Sequence, residues 1–146
     1  MMDVSDLYQA IIMDHRNSPR NLGKPENLDH EADGFNPFCG DRVSVGLRVE
    51  DGVITDIGFD GEGCAISTAS ASLMTETVMG KSIADAVTVF DGFRELLTGG
   101  ESSSDLGDLE ALAGVKAFPT RIKCAILSWH TLKAALDKSD DTVTTE

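Results

Sequence analysis

Three cysteines and one aspartate carry most of the chemistry this sequence offers. Asn36-Pro37-Phe38-Cys39-Gly40-Asp41 sets a thiol and a carboxylate two residues apart across a glycine. Gly40 has no side chain in the way and tolerates unusual backbone angles, so both groups can turn toward one ion. The other two cysteines lie far off in sequence. Cys64 follows Gly61-Glu62-Gly63 and opens an Ala/Ser-rich run, and Cys124 sits in Pro119-Thr120-Arg121-Ile122-Lys123-Cys124-Ala125. If folding brings the three places together they form a Cys3Asp tetrahedral donor set, which suits zinc or an iron-sulfur centre. Three thiolates and a carboxylate around a divalent ion leave a net charge of about −2, and such a site calls for nearby cations or N–H donors. Arg121, three residues before Cys124 and on the same helical face, and Lys123 are placed to supply positive charge. His15, His30 and His130 show no ligand spacing with the cysteines, and the serines of Ser67 to Ser72 have no Ser-His-Asp pattern around them. Small residues there serve close helix packing.

The elements that must position these residues follow from hydrophobic period. Asp3 can cap a first helix whose apolar residues include Leu7, Tyr8, Ala10, Ile11 and Ile12, and Pro19 ends it. Asn17 to Pro37 is rich in Asn, Gly and Pro and reads as extended loop with a short strand near Ala32 to Phe35. From Arg42 to Glu50, Val43, Val45, Leu47 and Val49 alternate with polar residues or glycine, the pattern of a half-buried strand. Asp51-Gly52 then turns the chain into a second strand, with Val53, Ile57 and Phe59 on one face. After Gly63 the period becomes helical, which puts Cys64 at a helix N-terminus, where free N–H groups suit an anionic ligand. Ile66, Ala69, Leu73, Thr77 and Gly80 form one stripe of that helix. Ser82 caps the next helix, a helical turn follows at Asp105 to Leu112, and the last helix begins near Pro119 and buries Trp129.

Composition sets the limits. A chain of 146 residues forms one domain, here residues 1–137, able to bury about 68–70% of its unfolded surface without disulfides. Residues 138–146 form an acidic tail without periodicity, expected to be disordered. The odd cysteine count and an N-terminus without a signal-peptide pattern fit a reducing cytoplasm. A formal charge of −13 argues against nucleic acid or an anionic membrane as partner, and no apolar run is long enough to span a bilayer.

Taken together, the motifs resemble the U-type iron-sulfur assembly proteins, the IscU/NifU N-terminal-like family, and within it the SUF-system (SufU-type) branch. The resemblance runs through Leu7-Tyr8-Gln9, Asp14-His15, Pro19-Arg20-Asn21, Asn36-Pro37, Cys39-Gly40-Asp41, Gly61 to Ser67, Ala69 to Ser72, Gly80-Lys81, Phe118-Pro119 and Arg121 to Cys124. Classical scaffold members carry a histidine before the third cysteine and a Leu-Pro-Pro-Val-Lys signal upstream; here Lys123 and Ala117-Phe118-Pro119-Thr120-Arg121 stand at those places. The resemblance implies an α+β fold, a three-stranded antiparallel sheet with helices packed on one face, and zinc held by Cys39, Asp41, Cys64 and Cys124. It also implies that Cys39 accepts persulfide sulfur from a pyridoxal-phosphate cysteine desulfurase of the SUF system, whose histidine replaces it on the metal. Arg121 would assist, and sulfur would pass to downstream SUF scaffold proteins. The alternative is a scaffold on which Fe2+ and sulfide build a transient [2Fe-2S] cluster. Lys123 favours sulfur transfer, because a protonated lysine cannot ligate iron.

Overall fold

The alternating stretch and its turn form the centre of the sheet. In the computed structural model, which describes residues 4–37, 40–98, 106–137 and 143–144, strand β2 (Asp41–Glu50) pairs antiparallel with β1 (His30–Asn36) on one side and β3 (Val53–Glu62) on the other. Asp51 and Gly52 have φ of 53° and 76°, the two positive values of a type I′ turn, whose twist matches that of the strands it joins. Val43, Val45 and Leu47 of β2 are buried on the inner face with Ala32 of β1 and Ile57 and Phe59 of β3. Register shifts between Arg48 and Val49, so that Arg48 opposes Asp56 while Val49 opposes Ile54. Thr55 is the extra residue of this bulge, and its hydroxyl bonds Arg48 O at 3.2 Å. The bulge resets the alternation, so that Ile54 is the buried residue and Val53 is only half-buried, a correction to the expected face.

The helices pack on the inner face, as the family resemblance implies. Helix α4 (Pro119–Leu136) lies along β1, where a Cβ at Gly34 would collide with Thr131 Oγ1; glycine lets helix and strand close to backbone distance. Trp129, wholly buried, packs on Phe93 of α3 (Ile83–Leu97) with ring centroids 5.0 Å apart. Helix α2 (Ala65–Val78) is buried on nearly every side rather than along one stripe, which its Ala/Ser composition permits. Ser70 Oγ donates to Ala125 O and accepts from Trp129 Nε1 at 3.2 Å, so a small polar residue joins α2 to α4 without leaving a buried hydroxyl unsatisfied. The helix stops at Val78, and Gly80 lies beyond it instead of continuing the stripe. Ser82 caps α3 as expected, its Oγ accepting from Asp85 N at 3.1 Å.

Of the residues of α1 (Val4–Asn17), Leu7 is 48% exposed, and those that turn inward are Tyr8, Ile11, Ile12 and His15. Two further expectations are corrected. The helical turn before α4 is a 3-10 segment over Gly107–Ala117, further along the chain than expected. In the acidic tail, Val143 and Thr144 form β4 and pair in parallel with Gly34 and Phe35, adding a short fourth strand to the order β3-β2-β1-β4. The expected Asp3 cap and the rest of 138–146 lie outside the described residues.

His15 clasps α1 to α2. Its Nδ1 is 2.7 Å from Ser72 Oγ, and its Nε2 is 3.4 Å from Glu76 Oε1. Arg20 N–H also donates to Ser72 Oγ, at 2.9 Å, so the hydroxyl joins the segment after α1 to α2 as well, while Nε2 faces Glu76. This Ser-His-Glu order resembles a nucleophile and its base, yet Ser72 is 0% exposed and no substrate can reach it. Burial, then the Arg20 guanidinium, pushes the imidazole pKa down, against upward pulls from Glu76, Asp14 and Asp108. A depressed folded-state pKa means the unfolded chain takes up the proton first. The stability contributed is complete above the usual value near 6.5 and is lost as pH falls toward the folded value. The melting temperature is therefore expected to fall between about pH 7.5 and 5.5, and His15→Gln to flatten that slope at equal metal content. His130, whose pKa burial and then Arg94 also lower, supplies the slope that remains. Equal slopes in wild type and His15→Gln would remove the clasp from the acid response.

Candidate metal centre

The ends of three elements meet at one pole of the sheet. Asp41 opens β2 and is paired across the hairpin with Asn36, while Arg42 opposes Glu62 at the end of β3. Gly40 N donates to Asn36 O at 2.9 Å and Gly40 has φ 72°, the left-handed turn that glycine adopts without strain and that brings the chain back into β2. Two residues past β3, Cys64 stands as N-cap of α2, its Sγ accepting from Ser67 N at 3.4 Å. Gly63 leaves room for this approach: a Cβ there would lie 2.9 Å from Ser67 Oγ and 3.5 Å from Asp41 Oδ1. Cys124 comes from the second turn of α4, begun by Pro119.

The candidate ligand atoms of Asp41, Cys64 and Cys124 all lie within 4.8 Å of one another. Cys64 N donates to Asp41 Oδ1 at 2.9 Å, and Cys64 Sγ is 3.7 Å from Asp41 Oδ2. Asp41 and Cys124 are 2% and 1% exposed, while Cys64 is half-buried, so the cluster opens to solvent on the Cys64 side. A carboxylate and two thiols this close and this buried are a costly arrangement for anions alone and a favourable one around a divalent ion. The donor set therefore fits zinc, with one position left for a further ligand. Cys39 lies outside the described residues; its chain neighbours Gly40 and Asp41 are at the site.

Arg121 is exposed on the first turn of α4 and lines a shallow cleft of about 300 Å³ with Ile66, Gly114, Val115 and Phe118. Among the described residues, no hydrogen bond joins its side chain to the thiols or to Asp41. Lys123 is half-buried on the same helix. A residue that sequence reasoning missed is Asn36. It is 0% exposed, and its Nδ2 donates to Cys124 Sγ at 3.7 Å. An Asn before Pro reads as a turn former, which hid this role; its place directly before the Cys39-Gly40-Asp41 loop was the available signal.

The fold and the donor set together define an α+β domain with a carboxylate-thiol cluster that could hold a metal ion at the pole where β2, α2 and α4 meet. The chain belongs to the NifU-like N-terminal domain family, which matches residues 7–139. It is 44% identical over 140 residues to the zinc-dependent sulfurtransferase SufU of Bacillus subtilis, covering 94% of this chain and 95% of the relative. It is 41% identical over 138 residues to the iron-sulfur cluster assembly scaffold protein IscU of Streptococcus pyogenes, covering 93% and 86%. A Fervidobacterium islandicum AW-1 protein assigned as an iron-sulfur cluster assembly scaffold for the SUF system superposes with a TM-score of 0.84 at 33% identity, over 92% of this chain and 99% of that one. The N-terminal part of a NifU-like protein from Brucella abortus shares the fold, with a TM-score of 0.84 at 23% identity over 92% and 95% of the two chains. No helix among the described residues is long and apolar enough to cross a membrane.

Proposed function

We propose that this protein is a zinc-dependent sulfur carrier of iron-sulfur cluster assembly, which accepts sulfur from a cysteine desulfurase on Cys39 and passes it to a SUF scaffold. The observation that carries this reading is the convergence of Asp41, Cys64 and Cys124 in a chain so similar to a relative named a zinc-dependent sulfurtransferase. Zinc bound by these residues and Cys39 would keep the thiols deprotonated and in check until a partner arrives. The chain's own residues divide the remaining work. Cys64 caps a helix and Cys124 is enclosed in one, so both are fixed in direction. Cys39, between Pro37 and Gly40 in the connection from β1 to β2, is the thiol left to react. Its thiolate attacks the terminal sulfur of the desulfurase persulfide. A new S–S bond forms at Cys39, the donor's S–S bond breaks, and its electron pair leaves with the desulfurase cysteine as thiolate, with no external oxidant or reductant.

Arg121 lies beside the cleft next to α2 and is suited to meet the anionic persulfide with its planar N–H fork. Arg121→Ala is expected to keep its zinc and lose most sulfur transfer, with Arg121→Lys restoring little. Full transfer in Arg121→Ala would reduce the residue to a solvated helix end. The overall reading is tested by anaerobic incubation with desulfurase and cysteine, with and without ferrous iron. Persulfide on the protein with no cluster absorbance is the expected result. A protein-bound [2Fe-2S] spectrum that forms without prior persulfide on Cys39 would make it a scaffold instead, the activity named for the Streptococcus relative.

A further inference from the structure

Each described ligand candidate receives a hydrogen bond from the chain itself. Asp41 Oδ1 accepts from the Cys64 N–H, Cys64 Sγ from the Ser67 N–H, and Cys124 Sγ from the Asn36 side-chain amide. The first two donors belong to the backbone of the α2 N-terminus and come with the helix. The third is a side chain, and the fold goes to some length to supply it. Asn36 ends β1 directly opposite Asp41, it is wholly buried, and the strand it ends is pressed against α4, the helix that carries Cys124. A primary amide is costly to bury without a partner, so its place at the sulfur calls for a use. A cationic donor at that depth would need its own charge desolvated, whereas an amide offers a directed partial positive charge at lower cost.

We propose that Asn36 is a positioning residue for the metal. Its N–H···S bond holds Cys124 Sγ toward Asp41 and Cys64 and draws charge out of that thiolate, which tightens binding of a divalent ion and sets the electronic character of the metal-sulfur bond. This rests on the reading of Asp41, Cys64 and Cys124 as metal ligands.

The test uses the full chain. Zinc affinity is measured by competition with a chromophoric chelator for wild type, Asn36→Leu and Asn36→Asp, and each is titrated with cobalt(II). Loss of such a partner is expected to cost about 10- to 100-fold in affinity, with Asn36→Asp the worse because its carboxylate faces thiolates. In Asn36→Leu the thiolate-to-cobalt charge-transfer band moves to lower energy, a change that mere loosening of the fold does not produce in a selective way. Wild-type protein loaded with NMR-active cadmium supplies a readout that needs no variant to fold: a through-bond correlation between the metal and the Asn36 side-chain amide proton. Variants that bind and absorb like wild type, or a loaded wild type without that correlation, overturn the role of Asn36. A wild type that shows no thiolate-cobalt bands at all removes the metal centre itself, and this inference with it.

Discussion

Cys39→Ser is expected to abolish persulfide loading, with a fall on the order of a thousand-fold or more, down to the assay floor. The size of the effect follows from what the other two thiols are doing. Cys124 is 1% exposed, and its sulfur accepts the Asn36 amide, so it is poorly placed to meet a partner's persulfide. Cys64 is more open, but its sulfur accepts the Ser67 N–H that begins α2, so to react it would have to give up both the helix cap and its place as a metal ligand. Neither can replace a missing Cys39. Serine keeps the size of the side chain but not the nucleophile, and Asp41, Cys64 and Cys124 remain to hold a metal with reduced affinity. The measurement is peptide mass spectrometry after incubation with desulfurase and cysteine. A one-sulfur increment found chiefly on Cys64 or Cys124 in wild type, or retained in Cys39→Ser, would sink the assignment.

Removal of the metal is expected to lower the melting temperature by roughly 8–16 °C. The figure comes from linkage: free zinc at about a thousand times its dissociation constant adds about 4.1 kcal/mol to the folded state, and a chain of this size converts each kcal/mol into about 2–4 °C. The candidate ligands come from the start of β2, the cap of α2 and the second turn of α4, so an ion adds strong bonds between three elements that otherwise meet at this pole through packing and a few hydrogen bonds. Without it a buried carboxylate and two thiols are left facing one another. The apolar core is extensive and reaches well beyond the site, so the apo protein is expected to stay folded, unlike a zinc finger. Scanning calorimetry on protein of verified metal content decides the matter, and Cys124→Ser should lose the response to added zinc. Equal melting of loaded and stripped wild type would mean that the site is not coupled to the fold.

Much of the local structure was legible because single residues decide it. Asp51-Gly52 specified a type I′ turn, Ser82 a cap, Pro119 a helix start, and Cys64 the N-terminus of α2. The site was legible as a set of motifs, and the structure brings three of the four proposed ligands together. What escaped depends on contacts between elements. The bulge at Thr55 moves Ile54 inward, and a period-2 reading that starts from Val53 cannot register an inserted residue. The stripe expected on α2 understated its burial, because serine hydroxyls count as polar until Ser70 and Ser72 find Ala125, Trp129, His15 and Arg20 from other parts of the chain. Asn36 was hidden for the same reason, its partner being 88 residues away. Pairing of Val143 and Thr144 with β1 depends on a free sheet edge, which no local pattern announces.

The bonds at the far end of α2 give the helix a mechanical character. There Gly80 N donates to Ile54 O at 2.7 Å and Ile54 N to Lys81 O at 2.8 Å, so the exit of α2 is sewn to the start of β3, while its entry at Cys64 is tied to Asp41. A helix of 14 residues, about 21 Å long, is thus clamped at both ends like a strut between the two poles of the sheet. Strain applied at the cysteine is carried along the rod, and the backbone amides of Ile54 and Gly80 become a remote gauge of it. Their solvent-exchange rates should slow together when the distant pole is loaded, although neither residue touches a ligand.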